Sequence, residues 1–150
     1  MKPETKEKAM RLCSRREYCR KEIFEKLISW DCTPAEASEV VDFLVEQKFV
    51  DERRYTEAFV RDKLRFNKWG RVKIGYFLSA QNIDRNMSME VLSEINETEY
   101  RELLAGELNK KHKTLKGNIF EIKGKLYRFA TGRGFESELA NELISQLYGS

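Results

Sequence analysis

One histidine, two prolines and three cysteines are all that this chain holds of the residues that most often mark metal sites, broken helices and disulfide frameworks. His112 stands alone, and Cys13, Cys19 and Cys32 lack paired CxxC spacing, so no zinc ligand set can be assembled. Three thiols confined to the first quarter are odd in number and suggest reduced, incidental cysteines, which fits a cytosolic address. No apolar run approaches the roughly 20 residues of a membrane span, and MKPETKEKAM carries charges without the apolar stretch of a signal peptide. A cytoplasmic protein that does not enter a membrane is expected. A catalytic constellation is missing as well. Asp51, Glu52 and Glu57 have helical spacing, but beside Arg53 and Arg54 they suit helix capping and solvation better than acid–base chemistry. Gly132-Arg133-Gly134 lacks the strand before it and the GK[ST] ending of a phosphate loop, and reads as a helix end. The expectation is therefore no enzyme, no catalytic residue, no cofactor and no bound metal.

What the 150 residues do hold is charge, 35% of the total, with 41% hydrophobic residues to build a core. The net charge of +3 conceals segregation: cations exceed anions over residues 1–21, 61–73 and 109–133, and anions exceed cations over 22–60, 84–108 and 134–150. Three basic blocks alternating with acidic ones suggest a recurring surface rather than a single basic tail.

The chain also resembles itself. Ile23, Leu27, Val40 and Val41 align without gaps with Ile74, Leu78, Val91 and Leu92, and again with Leu126, Ala130, Leu143 and Ile144. At the same offsets Asp31, Asn82 and Gly134 coincide, three residues that tolerate the left-handed conformation closing a helix. Cys32, Ile83 and Phe135 follow as candidate apolar contacts. Thr33 and Asp84 then stand where an N-cap belongs, Thr33-Pro34-Ala35-Glu36 reads as a capping box with proline in the first turn, and Glu136 is a poorer cap. Each copy thus holds two helices joined by a tight turn. A preceding helix carries its own apolar spacing: Ala9, Leu12 and Cys13, then Tyr55, Phe59 and Leu64, then Leu103, Leu104 and Leu108. The reading is all-α: nine helices near 4–14, 19–30, 33–47, 51–67, 70–80, 86–95, 98–114, 119–132 and 136–148. They group into three tandem three-helix modules over 1–49, 50–95 and 96–150, forming an elongated, curved chain.

KLRFNKWGRVK, residues 63–73, places five cations and two aromatics in one short stretch. Trp69 aligns with Tyr18 and is expected to be a largely buried packing position before the second helix of its module. The cations around the equivalent turns, Arg15, Arg16, Arg20 and Lys21 in the first copy and Arg65, Lys68, Arg71 and Lys73 in the second, repel one another unless a polyanion or acidic partner compensates.

AMRLCSRREYCRKEIFEKL, FVDERRYTEAFVRDKLRFNKWGRVKI and KLYRFATGRGF together resemble the three signature regions of the RecX regulatory proteins. The resemblance implies three tandem three-helix repeats in a protein that binds the RecA recombinase filament on DNA, restrains its strand exchange and ATP turnover, and so modulates recombination, DNA repair and the SOS response. Its implied partners are that filament and DNA, single-stranded first and double-stranded second, engaged by a monomer. On this reading Arg15, Arg16, Arg20, Lys21, Arg65, Lys68, Arg71, Lys73, Arg128 and Arg133 form one discontinuous basic face toward filament and DNA. Neutralising Lys68, Arg71 and Lys73 should then weaken binding and barely alter folding. Cys19 stands where the family usually has serine or threonine, and a thiol caps a helix weakly.

The competing reading makes each helix pair a DNA-reading unit of a transcription regulator, with the third helix in the major groove. Those helices carry Glu36, Glu39, Asp42 and Glu46, then Glu90 and Glu94, then Glu138 and Glu142, a poor lining for a groove reader.

Overall fold

A computed structural model describes residues 2–149, and all regular structure among them is helical. Helices α1 (Pro3–Cys13), α2 (Arg20–Ser29) and α3 (Pro34–Glu46) form the first module, α4 (Glu52–Asp62), α5 (Arg71–Ala80) and α6 (Arg85–Ser93) the second, and α7 (Glu97–His112), α8 (Ile119–Gly132) and α9 (Ser137–Leu147) the third. The expected helix over 51–67 stops being an α-helix at Asp62 and runs on as a wider π-helical turn, Lys63–Asn67. Lys68 closes it in the left-handed conformation (φ 55°), and the Trp69 N–H donates back to the Lys63 carbonyl at 3.1 Å.

The turn between the second and third helix is the same in every module. Asp31, Asn82 and Gly134 have φ of 66°, 59° and 91°, the left-handed residues expected at these places. Behind each, the N–H of Cys32, Ile83 and Phe135 donates to the carbonyl of Leu27, Leu78 and Ala130 at 3.1 Å in all three cases. The N–H of the left-handed residue itself donates to Ile28, Ser79 or Thr131. This pair of bonds is the Schellman ending, which satisfies carbonyls that a helix end leaves orphaned. The caps that follow also match the sequence expectation. Thr33 accepts from the Glu36 N–H at 3.2 Å while Glu36 accepts from the Thr33 N–H at 2.9 Å, and Asp84 accepts from the Met87 N–H at 3.1 Å. At the start of α2 the Glu22 carboxylate accepts from the Cys19 N–H at 3.1 Å, supplying the stronger half of a capping box whose other half is a thiol. Burial pushes that thiol up to about 11.

With the turns fixed, the aligned apolar residues point inward. Ile23, Ile74 and Leu126 are fully buried, as are Leu27, Leu78 and Ala130; Val40, Val91 and Leu143 are buried, and of the last set Leu92 alone is half-buried. Each large aliphatic side chain withdrawn from water this way stabilises the fold by about 1.5–3 kcal/mol.

The chain packs as two compact units, one of residues up to 59 with 78–88, the other of 60–77 with residues from 89 onward. The core of the first unit gathers Ala9, Tyr18, Ile23, Leu27, Ala37, Val40 and Leu44. Its buried Thr56 hydroxyl donates to the Glu52 carbonyl at 2.7 Å, so the polar group is not stranded. The core of the second unit gathers Tyr100, Leu104, Leu108, Leu126, Ala130, Phe135 and Ile144.

Two devices hold the second unit's α5 against the turn after α8. The first is direct contact of main chains: the Gly70 N–H donates to the Arg133 carbonyl at 2.8 Å and the Val72 N–H to the Gly134 carbonyl at 3.0 Å. A Cβ on Gly70 would stand 2.4 Å from the Gly134 carbonyl oxygen, and one on Gly134 would stand 2.2 Å from the Lys73 Cβ. The second is a polar knot. Arg71 Nη1 donates to Glu136 at 2.9 Å, its Nη2 pairs with Glu97, and its guanidinium lies 3.9 Å from the centroid of the Tyr100 ring. The Tyr100 hydroxyl donates to the other Glu136 oxygen at 2.5 Å and accepts from the Arg71 N–H at 2.9 Å. Glu136 is a poor cap for α9 for this reason: its carboxylate faces Arg71 and Tyr100 and makes no bond to the first turn. Against the upward push of partial burial, the bonds from Tyr100 and Arg71 hold the Glu136 carboxyl below the ordinary glutamate range.

Two outcomes are expected. Gly134→Ala combines a left-handed backbone with a clash against the Lys73 main chain, so it should cost about 2 kcal/mol or more and lower the melting temperature by several degrees; an unchanged melt would show that the turn yields freely. Glu136→Gln keeps the volume and removes the charge, a loss of at most about 1 kcal/mol because the pair is partly solvated. Because the native carboxyl is depressed, its contribution is complete above the ordinary glutamate value and disappears as pH falls through the lower native value. The gap in melting temperature between parent and variant should therefore be widest near neutrality and close in acid, and a gap independent of pH would exclude the charge as its source.

Candidate nucleic-acid interface

In the first unit, most cations at the turn between α1 and α2 are already occupied. Arg16 lies over the Tyr18 ring at 3.6 Å, donates to the Glu17 carbonyl and pairs with Glu22 at 3.3 Å. Arg20 pairs with Asp42 on α3 at 3.1 Å, and Lys21 Nζ donates to the Ala80 carbonyl at 2.8 Å, within the last turn of α5 where a cation is favoured. Arg15 points outward and is exposed. The acidic third helices are partly neutralised in place, Asp42 by Arg20 and Glu142 by Arg101 at 2.7 Å.

In the second unit the turn between α4 and α5 is richer in open charge. Arg65 is exposed, and Lys68, in its left-handed position, and Lys73 are half-buried. Lys73 Nζ sits 4.6 Å and Lys63 Nζ 5.0 Å from the centroid of the Trp69 ring. Arg133 reaches the same turn from behind, Nη1 lying 3.5 Å from the Asn67 carbonyl, while its guanidinium covers Phe129 and stands 3.9 Å from Glu107. Arg128 is exposed on α8. Lys63, Lys68, Lys73 and Arg133 are thus brought to one turn, while Arg128 stands on α8 and Arg71 is drawn inward.

Two expectations need correction. Tyr18 is buried as expected, but Trp69 is only half-buried, because it packs on Phe77 (ring centroids 4.9 Å apart) at the outer side of α5 instead of entering the core. Arg71 is no dispensable surface charge: its side chain is 20% exposed and satisfies two carboxylates, so its removal would leave Glu136 and the Tyr100 ring without their cation and would disturb the fold.

Sequence reasoning passed over Lys63, Phe66, Tyr76 and Phe77. Phe66 and Tyr76 are 72% and 71% exposed, and Tyr76 meets Phe77 edge-on at 5.5 Å. A signal was present: no acidic residue occurs anywhere from Lys63 to Ile83, while four aromatics do. Among the described residues no cluster of His, Cys, Asp and Glu could hold a metal ion, and no helix is long and apolar enough to cross a membrane.

Family models for the first, second and third three-helix domains of RecX match residues 6–44, 51–92 and 97–144 in order. Regulatory protein RecX of Chlorobium phaeobacteroides is 30% identical over 142 residues, covering 95% of this chain and 92% of that protein. Regulatory protein RecX of Clostridium beijerinckii is 26% identical over 145 residues, covering 95% of this chain and 67% of that one. The crystal structure of RecX from Lactobacillus salivarius superposes with a TM-score of 0.81 at 22% identity, covering 97% of this chain and 95% of that chain, which supports the fold. A second crystal structure of regulatory protein RecX gives a TM-score of 0.82 at 18% identity, over 93% of this chain and 72% of that chain. Three consecutive helical modules, each matched in its own place along the chain, make this protein a member of the RecX family of regulatory proteins.

Proposed function

We propose that this RecX-family protein binds the RecA recombinase filament on DNA in the cytoplasm, as a monomer, and there slows strand exchange and ATP turnover. The observation that carries the reading is the acid-free turn between α4 and α5, where Arg65, Lys68 and Lys73 present positive charge that no carboxylate in that stretch offsets. Arg15 and Arg128 extend the set of cations available to phosphate, and Arg16, Arg20, Lys21, Arg71 and Arg133, bonded within their own units, serve mainly to hold the modules that display them. Such contacts would recognise backbone more than base sequence. A conventional groove reader is less well supported, since α3 and α9 are acidic without a cation of their own and α6 carries one arginine against one glutamate.

The reading predicts co-sedimentation with RecA filaments assembled on single-stranded DNA, and inhibition of DNA-dependent ATP hydrolysis by RecA. Counterion release should weaken binding as salt rises, with a log–log slope of roughly −0.7 per phosphate contact on single strands. Replacing Arg65, Lys68 and Lys73 together by glutamine keeps much of each stem and removes the charge. That variant should shallow the slope by about 2, relieve inhibition, and melt close to the parent. A triple variant as inhibitory as the parent across a salt titration would exclude this turn from the interface and direct attention to the acidic third helices as the recombinase contact.

A further inference from the structure

The outer side of α5 carries exposed aromatic side chains beside a basic turn. Tyr76 is 71% and Phe77 40% exposed, Val72 lies one turn before Tyr76, and Phe66 projects from the π-helical turn just ahead. The rings are arranged in order. Trp69 packs on Phe77 with centroids 4.9 Å apart and planes 34° from parallel, and Phe77 meets Tyr76 edge-on at 5.5 Å. Lysines 63 and 73 sit over Trp69, so the inner end of the strip is cationic while the outer end is open ring surface.

Resting on the filament reading and extending it, we propose that Tyr76 and Phe77 form a stacking strip for unpaired nucleotide bases, with Lys73, Arg65 and Lys68 serving the phosphates, and that this strip makes binding selective for single-stranded over duplex DNA. The complementarity identifies the occupant. Four cations between Lys63 and Lys73 besides the paired Arg71, in a stretch whose own sequence holds no acidic residue before Asp84, call for a polyanion, and the exposed ring faces beside Lys73 call for flat π-surfaces on the same ligand. A single strand offers both at every nucleotide. A duplex hides its base faces in its own stack, and an acidic peptide would answer the lysines but leave the rings unused. Stacking of this kind is sequence-tolerant, since every base has a π-face.

The test needs no recombinase. Fluorescence anisotropy would compare the protein's affinity for labelled oligothymidylate with that for an abasic oligomer of the same length and charge, both at one salt concentration. The strip requires tighter binding of the base-bearing strand, by roughly ten- to a hundredfold on the scale of base–aromatic stacking, and near-equal affinities would overturn it. Tyr76→Leu with Phe77→Leu keeps apolar area and removes the rings; it should erase the preference and leave the salt slope in place, whereas Tyr76→Phe should retain it. Inhibition of ATP hydrolysis by RecA is then read separately. A parent that discriminates between the oligomers without inhibiting RecA would sustain the strip and sink the filament reading. A parent that inhibits RecA yet binds both oligomers alike would do the reverse. If the double leucine variant loses inhibition with an unchanged ratio between oligomers, the rings touch protein, and the proposal fails.

Discussion

A helix ends well only if its last carbonyls find donors, and here that requirement is met in one way three times. The left-handed residue after α2, α5 and α8 turns the chain back so that the next N–H reaches a carbonyl one full turn earlier. The direction of the third helix in each module follows from that reversal, and with it the inward placement of the aligned Ile, Leu and Val positions. Asp and Asn serve in the first two modules, residues that adopt the left-handed conformation more readily than most. Gly134 serves in the third, where the same turn must also receive the main chain of α5 at distances that leave no room for a Cβ. One local rule of backbone geometry thereby becomes a docking site between sequence-distant helices of the second unit.

How much of this could be read in the residues depends on range. Positions whose partners lie within four or five residues were legible: the capping box at Thr33, the cap at Asp84, the left-handed Asp31 and Asn82. So were the apolar alignments, because a repeat reports the core three times over. The fold class follows from these alone. Lys48 and Lys68 also adopt left-handed backbone, and lysine gives no hint of that, since its side chain neither bonds its own backbone nor lacks a Cβ. The knot of Arg71, Tyr100, Glu97 and Glu136 joins residues up to 65 positions apart, and no local pattern encodes it. Trp69 was misplaced for a related reason. Its alignment with Tyr18 is sound, but its ring packs on Phe77, a partner eight residues away in α5 that the aligned position alone does not indicate.

The same distinction sorts the cations. A count along the chain weighs Arg16, Arg20, Lys21 and Arg71 equally with Arg65 and Lys68, yet the first four are bonded to carboxylates, rings or carbonyls inside their own unit. Charge that is already paired contributes little to attracting a polyanion and much to orienting helices. The candidate interface is therefore narrower than the basic composition suggests, and it concentrates at Arg65, Lys68 and Lys73, in a run of residues that holds no acid of its own and whose Arg71 is paired with carboxylates from outside it.

The two tryptophans fall one to each compact unit, Trp30 in the first and Trp69 in the second, and each indole has a lysine ammonium above it, Lys8 at 4.1 Å and Lys73 at 4.6 Å. Indole emission responds in colour and yield to nearby charge. The protein consequently carries two built-in optical reporters, and a Trp30→Phe chain would glow from the second unit alone, letting events at the turn before α5 be followed in real time without attaching a dye.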